Sequence, residues 1–164
     1  MQLLISDTNI IIDLDVCGLI EKMFDLSYAF AVPDVLYIEE LEEQHGELPA
    51  YGLLIKSLES EKVDYAVALQ AKHIETSPND LFALALAKQE ECPLLTGDMA
   101  LRTVAAEEEI EIKGTLWIVE QMVVQGIIGI DRAEGAFEDM KMKQRRLPWK
   151  EVERMLERLR DKLE

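Results

Sequence analysis

Four acidic residues stand at points of the sequence from which their side chains could meet in one pocket. Two directly follow short apolar runs and two lie within or at the start of helical patterns; the four are Asp7, Glu39, Asp80 and Asp98. Carboxylates gathered within a few ångströms repel one another and raise each other's pKa unless a cation neutralises them. Hard oxygen ligands favour Mg²⁺ or Mn²⁺. The set therefore predicts a metal site, at which a metal-bound water can become the nucleophile that attacks a phosphodiester.

These acids need secondary-structure elements that bring them together. Continuous apolar runs are typical of strands buried on both faces, and three are present: Leu3–Ser6, Ala29–Val32 and Leu94–Thr96. Helical patterns follow them over Ile10 to about Phe24, Pro33 to Leu41, and Asp98 to Ala106. The pattern is completed by a helix over Leu81–Glu91, a short strand near Ile110–Ile112 and a helix over Leu116–Gln125. Repeated strand-to-helix units predict an α/β fold with a central parallel sheet covered by helices.

The same acids also have a structural explanation. Ligands of an open parallel sheet collect beyond the carboxyl ends of its strands, where Asp7 and Asp98 are expected. Aspartate at such a junction is equally a preferred helix N-cap, and capping is compatible with metal binding. Asp80 belongs to the capping sequence Ser77-Pro78-Asn79-Asp80, and Glu39 belongs to an acidic run that could be solvated. Residue types alone leave both explanations open.

Four motifs, in this order, resemble the pattern of PIN domains. They are Ser-Asp-Thr-Asn after an apolar strand, Val-Pro-Asp-Val-Leu-Tyr-Ile-Glu-Glu-Leu, Asn-Asp-Leu-Phe-Ala-Leu-Ala-Leu-Ala and Leu-Leu-Thr-Gly-Asp-Met-Ala-Leu-Arg. The resemblance covers roughly residues 1–125. It implies a three-layer α/β/α fold, an acidic metal-binding pocket and RNA-cleaving activity.

By position, the resemblance also assigns roles. It implies that Asp7, Asp80 and Asp98 hold Mg²⁺ or Mn²⁺ and that Glu39 orients the water or completes a second metal site. The doublet Glu39-Glu40 leaves the identity of the second acid open. Asn9 and Thr96 match polar neighbours of the acids and are expected to form hydrogen bonds to them, or else to form turns.

The resemblance further implies a substrate and a partner. Many PIN domains are the toxins of toxin-antitoxin pairs and are held inactive by a small antitoxin protein, whereas others process ribosomal RNA. The expected products of RNA cleavage carry 5′-phosphate and 3′-hydroxyl ends, because metal-water chemistry requires no attack by a ribose 2′-hydroxyl. The RNA sequence that is cut is not encoded in these motifs.

The charge of the chain is strongly acidic and unevenly distributed. The formal net charge is −16; residues 1–131 hold 25 acidic and 7 basic side chains, whereas residues 132–164 hold 8 and 10. An anionic surface repels nucleic acid, so an RNA substrate requires bound cations or a local basic patch. Basic residues of the tail could guide RNA or could simply form a solvated helical face; they are Lys141, Lys143, Arg145, Arg146 and Lys150.

The last segment follows a different pattern. Its apolar residues alternate spacings of three and four, which predicts an amphipathic helix; they are Trp149, Val152, Leu156, Leu159 and Leu163. We expect a PIN-like domain over residues 1–128 and a charged helical extension over residues 129–164. The helix would dock on this domain or on a second subunit, and we expect a homodimer.

Other functional classes fit less well. A haloacid-dehalogenase-type phosphatase normally has a second aspartate where this chain has Asn9. A P-loop nucleotide hydrolase is not expected, because no glycine-rich phosphate loop is present. A non-catalytic, degenerate PIN interaction module would suit the negative charge but need not keep four carboxylates in register. Cys17 and Cys92 lack the spacing of a zinc site. No apolar run reaches the length of a membrane span and no leader is recognisable, so a cytoplasmic location is expected.

Overall fold

A five-stranded parallel sheet forms the centre of the computed structural model, which describes residues 1–163 and the side chains of residues 1–162. The strands are β1 (Gln2–Ser6), β2 (Tyr28–Pro33), β3 (Leu54–Lys56), β4 (Leu94–Leu95) and β5 (Ile112–Lys113). Their order across the sheet is β3-β2-β1-β4-β5, and every pair is parallel. The α/β fold with a central parallel sheet is therefore confirmed.

Helices connect and cover the strands. They are α1 (Thr8–Val16), α2 (Ile20–Met23), α3 (Asp34–Leu36), α4 (Glu42–His45), α5 (Leu48–Tyr51), α6 (Ser60–Lys72), α7 (Pro78–Glu90), α8 (Met99–Glu107), α9 (Thr115–Val124), α10 (Ile130–Met142) and α11 (Trp149–Leu163). A π-helical turn, Tyr37–Leu41, joins α3 to α4. Within residues 1–163, no helix combines the length and apolar character needed to cross a bilayer.

The order of the strands places helices on both faces of the sheet. The chain moves from β1 outward to β2 and β3, and then returns past β1 to β4 and β5 on the other side. Because parallel crossovers are right-handed, connections that run in opposite directions lie on opposite faces. Helix α7 packs on β1, β2 and β4, with α6 outside it, whereas α1 contacts α9 and α10. This is the three-layer α/β/α arrangement.

Two parts of the sequence prediction are wrong in detail. The helix expected from Ile10 to Phe24 is broken after Val16, because Gly18 adopts a φ of +73° that turns the chain before α2 begins. No helix or strand was predicted between Gln44 and Glu75, but this segment contains α5, the edge strand β3 and α6.

The C-terminal helices share the core of the sheet domain. Helix α11 packs on α10, and α10 in turn contacts α1 and α9. Phe137 of α10 and Val152 and Leu159 of α11 are buried and belong to one apolar cluster with Leu4 and Phe30 of the sheet. The amphipathic stripe from Trp149 to Leu159 therefore packs on its own chain, whereas the Leu163 side chain lies outside the described residues.

Strand register positions the site. Ser6 of β1 pairs with Leu95 of β4, and the Asp7 amide donates a hydrogen bond to the Leu95 carbonyl at 3.0 Å. These two strands flank the point at which the strand order reverses. In open α/β sheets the crevice outside such a switch point is where ligands bind. The residues that follow β1 and β4 are Asp7 and Thr96-Gly97-Asp98.

Candidate active site

Asp7 directly follows β1 at this edge of the sheet and is fully buried. It caps α1, because Oδ1 accepts a hydrogen bond from the Ile10 amide at 3.0 Å. Its Oδ2 accepts a hydrogen bond from the Thr96 hydroxyl at 2.5 Å. Burial raises the pKa of Asp7 to about 7, and repulsion from Asp80 and Asp13 contributes in the same direction. Helix capping therefore accounts for the hydrogen bond to Oδ1. It does not account for the burial of this carboxylate near other acids.

Thr96 connects Asp7 to Asp98. Its Oγ1 donates to Asp7 and accepts a hydrogen bond from the Asp98 amide at 3.1 Å. Asp98 caps α8, with Oδ2 accepting from the Leu101 amide at 2.9 Å. The Thr96 hydroxyl thus joins Asp7, at the end of β1, to Asp98, which follows β4. Hydrogen bonding to the acids is what the sequence predicted for Thr96.

Asp80 approaches from the first turn of α7. Its backbone amide donates to the capping Ser77 hydroxyl at 3.2 Å, which fixes the start of the helix. Burial, with smaller contributions in the same direction from the charges of Asp98 and Glu40, raises the pKa of Asp80 to about 6. Asp80 is thus electrostatically coupled to acids from two other elements. The structure brings Asp7, Asp80 and Asp98 to one electrostatically coupled region.

The π-helical turn carries Glu39 and Glu40, and the two side chains have different surroundings. Its wider ring, closed by a hydrogen bond from the Glu42 amide to the Tyr37 carbonyl, shifts the residues that follow relative to an α-helix. Both glutamates are exposed, and Oε2 of Glu39 accepts a hydrogen bond from Asn79 at 2.8 Å. The charge of Glu40, by contrast, acts on Asp80. Glu39 is therefore held by α7, and Glu40 is the member of the doublet whose charge raises the pKa of Asp80.

The donor set suits a hard divalent cation. Within the part of the chain described here, no three acidic, histidine or cysteine side chains converge closely enough to enclose a metal ion. Mg²⁺ does not need such a cage, because it keeps several waters and takes one or two carboxylates together with substrate phosphate. Asp7 and Asp80, whose burial disfavours their charged forms, are the groups that a cation would stabilise.

A partly buried ion pair between α1 and the C-terminal extension lies beside the site. The Asp13 Oδ1 atom lies 2.7 Å from Nε of Arg145, and its Oδ2 accepts from the Thr115 hydroxyl at 2.6 Å. The Arg145 guanidinium also donates to the Asn9 side chain at 3.4 Å. Asn9 is therefore directed to Arg145 and forms no side-chain hydrogen bond to the acids among the described residues. Sequence reasoning missed Asp13, although a charged residue within the apolar run Ile10–Leu14 was a signal.

Removing the guanidinium should destabilise the fold. We expect Arg145→Gln to lower the free energy of unfolding by about 2 to 3 kcal/mol, because Asp13 would remain buried with Thr115 as its remaining partner. Urea denaturation measures this change. The neighbouring Arg146→Gln is the matched control and should stay within about 0.5 kcal/mol, since Arg146 is exposed. If both variants lose the same stability, the pair with Asp13 does not anchor the loop.

A small cavity of about 250 Å³ lies beside Asp98 and the Asp13–Arg145 pair. Its lining combines residues from three parts of the chain: Asn9 and Asp13 of α1, Gly97 and Asp98 after β4, and Gln144, Arg145 and Arg146 between α10 and α11. An acid that can bind a cation thus faces the same space as cations that can bind a phosphate. This arrangement can hold a phosphodiester next to a metal ion.

Comparison with known proteins agrees with the geometry. The family model DUF3368, described as a PIN domain, matches residues 3–161. This match confirms the resemblance that four motifs indicated, and it extends through α10 and α11 beyond the roughly 125 residues covered by those motifs. PIN domains are generally nucleases that act on nucleic acids, and they usually use divalent metal ions. No curated protein matches the chain at a significant level.

Proposed function

The chain belongs to the PIN-domain family, and from this premise we propose that it is an endoribonuclease that requires Mg²⁺ or Mn²⁺. The observation that supports the proposal most is the coupling among three acids from separate elements. Asp80 lies close enough to Asp7 to raise its pKa, and Asp98 does the same to Asp80. Helix capping alone requires no such convergence.

The acids fall into two roles in the proposed mechanism. Asp7, Asp80 and Asp98 would hold the cation, and a glutamate of the π-helical turn would orient the attacking water or complete a second ion site. Glu40 is favoured for this role over Glu39 because its charge acts on Asp80. When bound, the cation supplies Lewis acidity that activates a water and neutralises charge on the phosphate. Thr96 keeps the Asp7 side chain in place by donating to Oδ2.

Cleavage should depend on the metal and leave defined ends. With a mixed pool of structured RNAs, we expect cutting in Mn²⁺ or Mg²⁺, none in chelator, and fragments with 5′-phosphate and 3′-hydroxyl termini. Ligation and phosphatase treatment of the fragments identify the termini. Fragments ending in a 2′,3′-cyclic phosphate would exclude this chemistry, and the absence of both cleavage and metal binding would favour the non-catalytic interaction module.

A toxin role is a narrower version of the same proposal. In that role the protein would act in the cytoplasm as a homodimer and be held inactive by a small antitoxin. Induced expression tests it, because an RNA-cleaving toxin should arrest growth, whereas a variant without cleavage activity should not. Normal growth with active enzyme present would favour an RNA-processing role instead.

A further inference from the structure

A basic cavity adjoins the acidic pocket. It has a volume of about 460 Å³ and lies where the start of α8, the β5–α9 junction and the segment before α11 meet. Three cationic side chains line it: Arg102, Lys113 and Arg146. Residues 1–131 hold only 7 basic side chains, and two of the seven line this one cavity. The clustering is notable in a chain whose net charge is −16.

The acidic residues of the cavity do not cancel these cations. Asp13 also lines it, but this carboxylate is already paired with Arg145 at 2.7 Å. Glu151 is the other acid of the lining. The wall therefore presents an excess of positive charge, in contrast to the rest of the surface. An anionic ligand is the class that such a wall attracts.

Two of the three cations are available to a ligand. The Lys113 ammonium is engaged, lying 3.1 Å from Glu111 and 5.2 Å from the centre of the Trp117 ring. Among residues 1–163, no carboxylate forms an ion pair with Arg102 or Arg146. A guanidinium offers a planar set of donors that matches the oxygens of a phosphate.

The basic cavity and the cavity beside Asp98 are neighbours that share part of their lining. Both are lined by Asp13, Gly97 and Arg146. A Cβ built on Gly97 would meet nothing within 4 Å, so no side chain or backbone atom crowds this shared residue. A chain of phosphates leaving the acidic pocket would thus meet Arg146 first and Arg102 beyond it.

We infer that this basic cavity holds the single-stranded RNA segment next to the scissile bond, with Arg102 and Arg146 binding its phosphates. The inference rests on the proposed ribonuclease function and specifies how an acidic protein holds an anionic substrate. Phosphate contacts supply most of the sequence-independent affinity for nucleic acid and make that affinity depend on salt. The metal pocket neutralises the reacting phosphate, and the arginines neutralise its neighbours.

Binding can be measured separately from cleavage. A labelled oligouridine of about 12 nucleotides is titrated in chelator and followed by fluorescence anisotropy over a series of salt concentrations. We expect Arg102→Gln with Arg146→Gln to weaken binding by about 10- to 50-fold and to lower the slope of log affinity against log salt by about 1.4. The control, Lys22→Gln with Lys72→Gln, removes the same charge at exposed sites outside the cavity and should change affinity by less than about twofold.

The outcomes separate this inference from the function on which it rests. Equal weakening by the two double variants, unchanged binding by the arginine variant, or no RNA binding by the native protein would each overturn it. Cleavage with an unchanged KM in the arginine variant would overturn it while leaving the nuclease intact. If the native protein binds RNA through these arginines but never cleaves it, the RNA-binding role of the cavity stands and the proposed nuclease activity is wrong. Arg146→Gln alone, at an exposed side chain, tests the same point if the double variant does not fold.

Discussion

Asp98→Asn should abolish RNA cleavage while leaving the fold intact. Asparagine caps a helix as well as aspartate does, so the hydrogen bond from the Leu101 amide should be kept. The change removes one negative charge from the group that would hold the cation. We expect cleavage in Mn²⁺ to fall by at least about 10³-fold, equivalent to about 4 kcal/mol of transition-state stabilisation. The measurement is the initial rate of cleavage of a labelled RNA.

A matched variant separates loss of a ligand from loss of charge. Asp64→Asn makes the same chemical change on the exposed surface of α6, and it should cleave RNA at the native rate. The free energy of unfolding of metal-free Asp98→Asn should stay within about 1 kcal/mol of the native value. If Asp98→Asn cleaves RNA normally, this aspartate is only a helix cap and the proposed site is wrong.

The parts of the fold that position the acids were predictable from local pattern. Runs such as Leu3–Ser6 are apolar at every or nearly every position because both faces of the strand are covered, and this signal survives in short segments. The edge strand β3 also begins within an apolar run, Leu53–Ile55, but the run has only three residues and the strand leaves Leu54 and Ile55 exposed, so it does not show the pattern of a strand covered on both faces. Helix α6 was missed for a similar reason, because its fully buried side chains are those of Ala66 and Leu69.

The site residues likewise include some that the sequence could locate and others that it could not. Asp7 and Asp98 follow strands and could be located from sequence, because parallel strands end at one edge of a sheet. The orientation of the Glu39-Glu40 doublet could not, since it depends on a π-helical turn that adds one residue to the helical ring. The Asp13–Arg145 pair joins residues 132 positions apart, and the docking of α10 and α11 creates it. Spacing along the chain carries no information about such a contact.

Asp7→Asn should make the metal-free protein more stable at neutral and alkaline pH. The carboxyl group has an ordinary pKa of 3.8 when solvated and a pKa of about 7 in the folded chain, chiefly because it is buried. At pH 8 the native side chain is ionised and unfavourably buried, whereas the amide is neutral and can still accept from the Ile10 amide. The gain should approach about 4 kcal/mol as an upper value. Urea denaturation in chelator measures it.

The sign of the effect sets its pH profile. A group whose pKa is raised on folding contributes stability below its unfolded pKa and loses it as pH rises through the folded value. The difference between Asp7→Asn and the native protein should therefore be small near pH 4, grow between about pH 4 and 7, and stay constant above. Titration of Asp80 makes the free energy of unfolding of both proteins depend on pH to a similar extent. This contribution largely cancels when the two proteins are compared. A difference that does not vary with pH would show that Asp7 does not titrate in this range.

Addition of a divalent ion should narrow the difference in stability between Asp7→Asn and the native protein. Free Mn²⁺ at about 100 times its Kd stabilises a protein that binds it only when folded by about 2.7 kcal/mol. If Asp7 is a ligand, the native chain gains this stabilisation at pH 8 and Asp7→Asn gains much less, whereas the surface variant Asp64→Asn gains as much as the native chain. Equal stabilisation of Asp7→Asn and the native protein would remove Asp7 from the metal site. If the native chain gains more than Asp7→Asn, the buried carboxylate that destabilises the metal-free fold is explained by the cation that it binds, because selection for metal binding can retain a charge that folding alone disfavours.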